Sequence, residues 1–217
     1  MKKIVSFLAI STLLLFNACS NKNNTDTGVV INGITWATHN VATPGTFTTN
    51  PYDAGMFYQW NSKVGWTATG AIDSIIATDG TTTWNSSWKG GYTTPSGSDT
   101  WTSTNDPSPS GWRVPTYAEI ETLTDTSKVK QVWTTQNSAY GEKFTDKTTG
   151  NSIFLPASGY RNGDDGTLLD AGSFGCYWGC SSVAAGVAYY LTFYGSDADW
   201  YDSGDRAHGL AVRPVTE

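Results

Sequence analysis

The residues with the clearest chemical bias lie near the C-terminus, between Cys176 and His208. This segment consists mainly of Tyr, Ser, Gly, Asp and Ala around a few apolar residues. Tyrosine offers a large amphipathic contact area at low entropic cost, and Ser, Gly and Asp offer adaptable polar contacts, so the mixture is typical of recognition loops. The pattern therefore indicates ligand binding rather than covalent chemistry.

Strand alternation divides this segment into an outward and an inward set. Tyr190, Thr192 and Tyr194 alternate with Leu191 and Phe193, and a period of two is typical of a half-buried strand. We therefore expect the first three side chains to be exposed and the other two to be buried. The expected ligand-binding residues are Tyr190, Thr192, Tyr194, Ser196, Asp197, Asp199, Tyr201, Asp202, Asp205 and His208.

Several residue types are missing from the same region. No Lys, Glu, Gln or Met occurs between Thr148 and Thr216, although the rest of the chain uses Lys freely. If Asn codons were randomised at their adenines, they would encode Tyr, Ser, Asp, Gly, Ala, Cys, His, Thr or Val, but never Lys, Gln, Glu, Met or Trp. The composition fits such variation, provided that Trp178 and Trp200 lie outside the varied codons. The alternative is a surface loop rich in Gly and Ser with an accidental bias.

Catalysis and metal binding have less support in the sequence. The two histidines, His39 and His208, do not lie in a recognisable nucleophile motif, so we expect no catalytic residues and no enzyme activity. The clustered aspartates could bind calcium, but the Glu-Pro-Asn and Gln-Pro-Asp triplets of calcium-dependent lectins are absent. No metal and no cofactor is therefore assigned.

Cys176 and Cys180 allow a disulfide but do not require one. An exported protein permits such a bond. Residues four apart along an extended strand are too distant to bridge unless the strand bends, which here would have to happen at Gly179. Both states stay open, whereas two sulfurs without a nearby His are only half of a zinc site.

The N-terminus indicates export and a lipid anchor. Lys2 and Lys3 precede an apolar run from Ile4 to Phe16, which is typical of a signal peptide and too short to span a membrane. Ala18 and Cys19 resemble the end of a bacterial lipobox, which implies lipidation at Cys19. The alternative is an ordinary secretory signal with a chance Cys. The non-acidic residue after Cys19 favours the outer membrane, by resemblance to known sorting rules.

The charge and the length of the chain narrow its class further. Removing residues 1–18 takes away two lysines and no acid, so the formal charge moves from −6 to −8. An acidic chain of this kind is a poor binder of nucleic acid. We expect residues 19–28 to form a flexible tether and residues 29–217 to form one domain.

Local patterns predict the order of the elements. Asn32-Gly33 predicts an opening hairpin, and Thr116 with Glu119 predicts a capping box at the start of a helix. A second, weaker helix is predicted for 129–133. Strands are predicted at 142–146, 152–156, 174–178, 187–194 and 209–215.

Five strings in a fixed order carry a family resemblance. They are NGITWATHNV from Asn32, NDPSPSGWRVPTYAEIETL from Asn105, LPASGYRNGDDGTL from Leu155, YWGCSS from Tyr177 and HGLAVRPV from His208. Together they resemble the Fibrobacter succinogenes major paralogous domain family. The resemblance implies an α+β, C-type lectin-like domain with two helices, paired N- and C-terminal strands and long irregular loops.

The biased segment and the ending AVRPV look more like the variable proteins of diversity-generating retroelements. In that interpretation, Trp178, Leu191, Phe193, Leu210 and Val212 are scaffold. Cys176, Cys180, Ala184 and Ala185 join the ligand-binding residues as varied positions. The resemblance implies a surface-displayed lipoprotein that binds a protein or carbohydrate ligand. Two alternatives stay open, namely a fixed carbohydrate-binding or adhesion module and a structural envelope lipoprotein.

Overall fold

The computed structural model describes residues 26–91, 99–195 and 202–217. Strands dominate this part of the chain. They are β1 (Val29–Ile31), β2 (Ile34–Trp36), β3 (Met56–Gln59), β4 (Gly65–Thr67), β5 (Trp112–Arg113), β6 (Val129–Gln136), β7 (Ala139–Asp146), β8 (Ser152–Pro156), β9 (Tyr160–Arg161), β10 (Leu168–Leu169), β11 (Phe174–Ala184), β12 (Val187–Tyr194), β13 (Asp202–Asp205), β14 (Gly209–Leu210) and β15 (Val215–Thr216). One α-helix, α1 (Tyr117–Thr124), and a 3₁₀ turn, Ile72–Ser74, complete the regular structure of these ranges.

The strands of the described ranges form four small sheets. Their strand orders are β1-β2-β15-β5, β10-β9-β14-β3-β4, β11-β12-β13 and β6-β7-β8. The N- and C-terminal strands pair, because Val215 lies opposite Trp36 and the amide of Ala37 donates to the carbonyl of Pro214 at 2.9 Å. This pairing was expected from the sequence, and it closes the chain upon itself.

The expected fold class is wrong. The described residues form a mostly β structure with one α-helix of eight residues, rather than an α+β lectin-like domain with two helices. Helix α1 does begin at the predicted capping box, since the hydroxyl of Thr116 accepts from the amide of Glu119 and the Glu119 carboxylate accepts from the amide of Thr116. None of the described helices is both long and apolar enough to cross a membrane.

The second predicted helix is strand β6 instead. Val129 is buried, Lys130 is exposed, and the next residues continue this alternation up to Trp133. A period of two and the β-branched residues Val132 and Thr134 favour a strand, and the whole of β6 pairs with β7. Pairing with a long neighbouring strand thus overrides a short helical pattern.

The hairpin of β11 and β12 lies between two hydrophobic cores. Leu191 and Phe193 face the first core, which includes Ile120, Phe144 and Tyr177. The opposite face meets a second core, which contains Cys176, Trp178, Tyr58, Trp60, Leu210 and Val212. The hairpin is therefore packed against other residues on both faces, unlike a surface sheet that has one solvent-exposed face.

The chain is fastened to the fold three residues before β1. The Asp26 carboxylate accepts hydrogen bonds from the amides of Gly28, Thr38 and His39 and from the Thr38 hydroxyl, at 2.6–3.0 Å. Burial alone would raise the pKa of Asp26, but the hydrogen bonds from His39, Gly28 and Thr38 outweigh it and lower the pKa to about 2. The attachment begins inside the segment that the sequence predicted as a tether.

Candidate binding pocket

A pocket of about 320 Å³ lies where the β11-β12-β13 sheet meets strands β9 and β14. Parallel bridges between Gly159 and Gly175 and between Tyr177 and Ala211 join the two sheets at this point. The residues that line the pocket are Tyr160, Asp170, Phe174, Cys176, Tyr190, Thr192, Tyr194, Asp202, His208 and Leu210.

Most of the predicted ligand-binding residues that the structure describes meet in this pocket. Those that line it are Tyr190, Thr192, Tyr194, Asp202 and His208. Cys176, one of the predicted varied positions, lies opposite Thr192 and also lines it. Residues from three strands and one loop are thus brought together, although up to 32 positions separate them in the sequence.

Asp205 does not join this set. It lies opposite Val187 at the end of β13, three residues beyond Asp202, so the two aspartates alternate across the sheet. Its carboxylate instead accepts the amide of Ala207 at 2.9 Å in the turn that follows. Ser196, Asp197, Asp199 and Tyr201 lie outside the described residues, as does Cys19.

The expected exposure of the outward set is wrong in part. Thr192 is buried, with 7% of its surface exposed, and Tyr190 and Tyr194 are half-buried. The inward set behaves as expected, because Leu191 and Phe193 are buried at 2% and 0%. The physical reason is the second core on this face, which contains Cys176, the cross-strand partner of Thr192, together with Leu210.

Aromatic contacts fix the walls of the pocket. Tyr194 stacks on Phe174 with 4.8 Å between ring centres, and Tyr190 meets Trp178 edge-on at 5.8 Å. The Tyr190 hydroxyl donates to the Asp202 carboxylate at 3.2 Å. Burial raises the pKa of Tyr190, and the Asp202 charge raises it further, so the phenol keeps its proton and this hydrogen bond.

His208 occupies the pocket in one tautomer. Its Nδ1 accepts the Gly163 amide at 2.7 Å, so the neutral ring carries its proton on Nε2. Its ring also meets Tyr160 edge-on at 5.5 Å. Burial lowers the pKa of His208, although the charges of Asp205 and Asp164 act in the opposite direction. The imidazole is therefore neutral at pH 7.

Cys176 and Cys180 are free thiols and do not form a disulfide. They lie four residues apart on β11, a separation of about 13 Å along an extended strand, and the irregular pairing after Trp178 does not bring them together. Burial raises the pKa of Cys176 to about 12, and its sulfur lies 3.8 Å from the Thr192 hydroxyl. A protonated, buried thiol is a poor nucleophile, which offers no support for cysteine chemistry here.

Arg206 holds the turn that follows β13 and so supports His208. Its guanidinium carbon lies 4.1 Å from the centre of the Trp60 ring, and its nitrogens donate to the carbonyls of Lys89 and Ala184 and reach the Asp99 carboxylate at 3.5 Å. The side chain is fully buried. This arginine is a fixed part of the scaffold behind the pocket.

Sequence reasoning missed Tyr160, Asp170 and Phe174 as lining residues. Phe174 opens a predicted strand, and its stacking on Tyr194 follows from their direct pairing. Asp170 has a positive φ of 55°, and its carbonyl accepts the amides of Ser173 and Phe174. A turn signal of this kind at Asp170-Ala171-Gly172 could have placed the acid beside the start of β11.

Among residues 26–91, 99–195 and 202–217, no group of three or more His, Cys, Asp or Glu side chains could hold a metal ion. Comparisons with protein-family models, with curated proteins and with solved structures find no match. The family resemblance of the five strings therefore stays a prediction.

Proposed function

We propose that this chain is a lipid-anchored protein of the bacterial outer membrane that binds its ligand in the pocket of β11, β12 and β13. One observation carries the proposal. Residues chosen from the sequence for their recognition chemistry, among them Tyr190, Thr192 and His208, line a single cavity. An accidental composition bias would leave such residues scattered, so their convergence supports binding.

The pocket also supports the proposal that its wall is varied. The scaffold residues Trp178, Leu191, Phe193, Leu210 and Val212 are buried to 2% exposure or less. Of the proposed varied residues, those that line the cavity are Cys176, Tyr190, Thr192, Tyr194, Asp202 and His208, although Cys176 and Thr192 are themselves buried. Cys180, Ala184, Ala185 and Asp205 lie outside the lining. Of the five scaffold residues, Leu210 alone lines the cavity, so the two sets are largely separate, as a retroelement variable protein requires.

DNA sequencing tests the proposed variation. We expect a reverse-transcriptase gene beside the coding sequence, together with a near-copy of its 3′ end that differs only at adenines. In sibling strains, substitutions should fall at the codons of Cys176, Tyr190, Thr192, Tyr194 and His208 and spare that of Phe193. A locus without such a copy, and with an invariant pocket, would contradict the variation and leave a fixed binding module.

Ligand binding is tested with the full-length lipoprotein in detergent. The protein is applied to a glycan array and to an array of peptides, beside a variant with both Tyr190→Ala and Tyr194→Ala. We expect binding to a subset of probes that the double variant loses. If the variant binds the same probes equally well, the pocket is not the binding site.

A fixed carbohydrate-binding or adhesion module is the second candidate. The aromatic walls of the pocket favour it, since rings beside polar groups also suit sugar recognition. It shares the glycan-array result and differs in the sequencing result. A structural envelope lipoprotein predicts no bound probe on either array.

The anchor has its own test. Labelling with a palmitate analogue should depend on Cys19, because the lipid is attached to this sulfur in the proposal. A Cys19→Ala protein that is still labelled and still sediments with membranes would contradict the anchor. The Cys180→Ala protein is the matched control and should be labelled like the parent.

A further inference from the structure

We propose that the pocket selects an organic ammonium group, carried either by a small amine or by the side chain of a lysine. This inference rests on the proposed function and names the ligand chemistry of the same site. It follows from the charge, the ring content and the size of the cavity.

The side chains that line the pocket carry negative charge, and the described lining contains no positive side chain to balance it. Asp170 and Asp202 are exposed acids at the pocket, and no Lys or Arg is among the described residues that line it. His208 supplies no positive charge at neutral pH, because its Nδ1 accepts the Gly163 amide. A cation entering the pocket would therefore meet two carboxylates, whereas an anion would be repelled.

The cations that lie near in sequence cannot neutralise these acids. From Thr148 to the C-terminus, the basic residues are Arg161, Arg206 and Arg213. Each is buried to 1% exposure or less. Arg161 donates to the carbonyls of Thr67 and Gly166, Arg206 covers Trp60, and Arg213 donates to Asn40. These three arginines bind groups of the scaffold and do not neutralise Asp170 and Asp202. A cationic ligand could therefore supply the balancing charge.

The rings suit an ammonium group as well. Tyr160, Phe174, Tyr190 and Tyr194 contribute four aromatic side chains to one small cavity. The face of an aromatic ring is negative, and a cation held among several rings gains attraction that a neutral group of the same shape lacks. Aromatic walls with acids at the rim match both the apolar surface and the charge of an alkylammonium group.

The size of the cavity separates this ligand from an extended sugar. About 320 Å³ lies at the lower end of the range of roughly 300–1,000 Å³ for small-molecule sites. This volume suits a single headgroup or side chain. An oligosaccharide would need a longer groove.

Calorimetric titration of the full-length lipoprotein tests the inference with matched probes. Choline and its neutral isostere 3,3-dimethylbutan-1-ol compare the charge at constant shape, and N-acetyl-lysine methylamide represents a lysine side chain. We expect choline or the lysine derivative to bind at least about tenfold more tightly than the neutral isostere, and the binding to weaken as salt is added. The tighter of the two cations identifies the source of the group.

Two variants locate the site. Asp202→Asn should weaken binding of the cation by about fivefold, because it removes one charge beside the ligand. Asp79→Asn is the matched control. It removes an exposed acid whose carboxylate accepts the amide of Thr81 in a separate turn, and it should leave binding unchanged.

The outcomes distinguish this inference from the proposed function. If neither choline nor the lysine derivative binds more tightly than the neutral isostere, or if only glycans bind and the Tyr190 and Tyr194 double variant loses them, the ammonium assignment is overturned and the pocket remains a binding site. Cation binding that Asp202→Asn leaves unchanged would also overturn it. No probe on either array and no cation in the titration would contradict both proposals.

Discussion

The two faces of strand β12 show how one short segment can serve two purposes. On one face, Leu191 and Phe193 are buried in a continuous apolar core with Phe144 and Tyr177. On the other face, Tyr190 and Tyr194 are half-buried around a cavity with polar groups at its rim. Both faces are packed, but the cavity lies on the face of Tyr190 and Tyr194. Burial alone therefore does not distinguish the core face of the strand from the face at the cavity, whereas the presence of unfilled volume does.

The largest expected effect comes from the core face. Phe193→Ala should lower the free energy of unfolding by about 3–5 kcal/mol, because the fully buried ring contacts Trp133, Phe144 and Tyr177. Chemical denaturation measures this loss. A loss below about 1 kcal/mol would mean that the core face is no more tightly packed than the pocket face.

The core side also carries a carboxyl group whose effect depends on pH. Glu142 is 3% exposed and lies opposite Trp133 and Leu155, and burial raises its pKa to about 7. Because the unfolded chain ionises this group more readily, the associated stability is complete below about pH 4.5 and is lost as the pH rises through 7. Glu142→Gln should therefore stabilise the protein by up to about 3 kcal/mol well above pH 7 and by much less at low pH.

Denaturation of this variant at several pH values measures the difference. The exposed Glu121 provides the control Glu121→Gln, which should change the stability by less than about 0.5 kcal/mol. A Glu142→Gln protein with the same pH dependence as the parent would contradict the assignment of a buried carboxyl group.

The pocket face should respond more weakly. Tyr194→Ala should cost about 1–2 kcal/mol, because the half-buried ring loses its stacking on Phe174. This is more than the near-zero cost that full exposure would predict. Tyr140→Ala on β7 is the control, since that ring is 54% exposed although it stacks on Trp133. Equal losses for the two variants would show that the pocket wall is no better ordered than the surface.

The smallest expected effect belongs to His208. Its pKa is lowered by burial, so the unfolded chain binds a proton more readily than the folded one. Its contribution to stability is complete above about pH 6.5 and is lost as the pH falls through the lower folded value. The protonated ring can no longer accept the Gly163 amide. NMR titration of the His208 ring should show the lowered pKa, and a value above 6.5 would contradict the geometry.

The sequence predicted local elements better than it predicted their assembly. The Asn32-Gly33 hairpin, the capping box of Thr116 and Glu119, and strand β12 all depend on neighbouring residues, and they form as expected. The fold class depends on how sheets are packed, and the lectin-like expectation with two helices was wrong. Strand β6 shows the cause, because its pairing with β7 cannot be recognised from its own residues.

The site was predictable as a set of residues and not as a shape. Alternation correctly separated Leu191 and Phe193 from Tyr190, Thr192 and Tyr194, since the pleat fixes which side chains share a face. It could not show that a second core would form on the polar face and bury Thr192. Gly175 is another residue whose role depends on the assembled hairpin. A Cβ there would lie 2.0 Å from the Phe193 ring, so only glycine leaves space for that ring.

The attachment at Asp26 has a mechanical consequence for a protein held by a lipid. If Cys19 carries the anchor, the chain from the lipid to Asp26 spans at most about 25 Å, so the domain stays close to the membrane. Tension between the ligand and the anchor would pass through the hydrogen bonds that Thr38 and His39 donate to Asp26. Those residues lie shortly after β2, which pairs with the C-terminal strand, so the load is shared by both ends of the described chain. Tension on a bound ligand would therefore be distributed over β2 and β15 and would not act only on the pairing of β1 with β2.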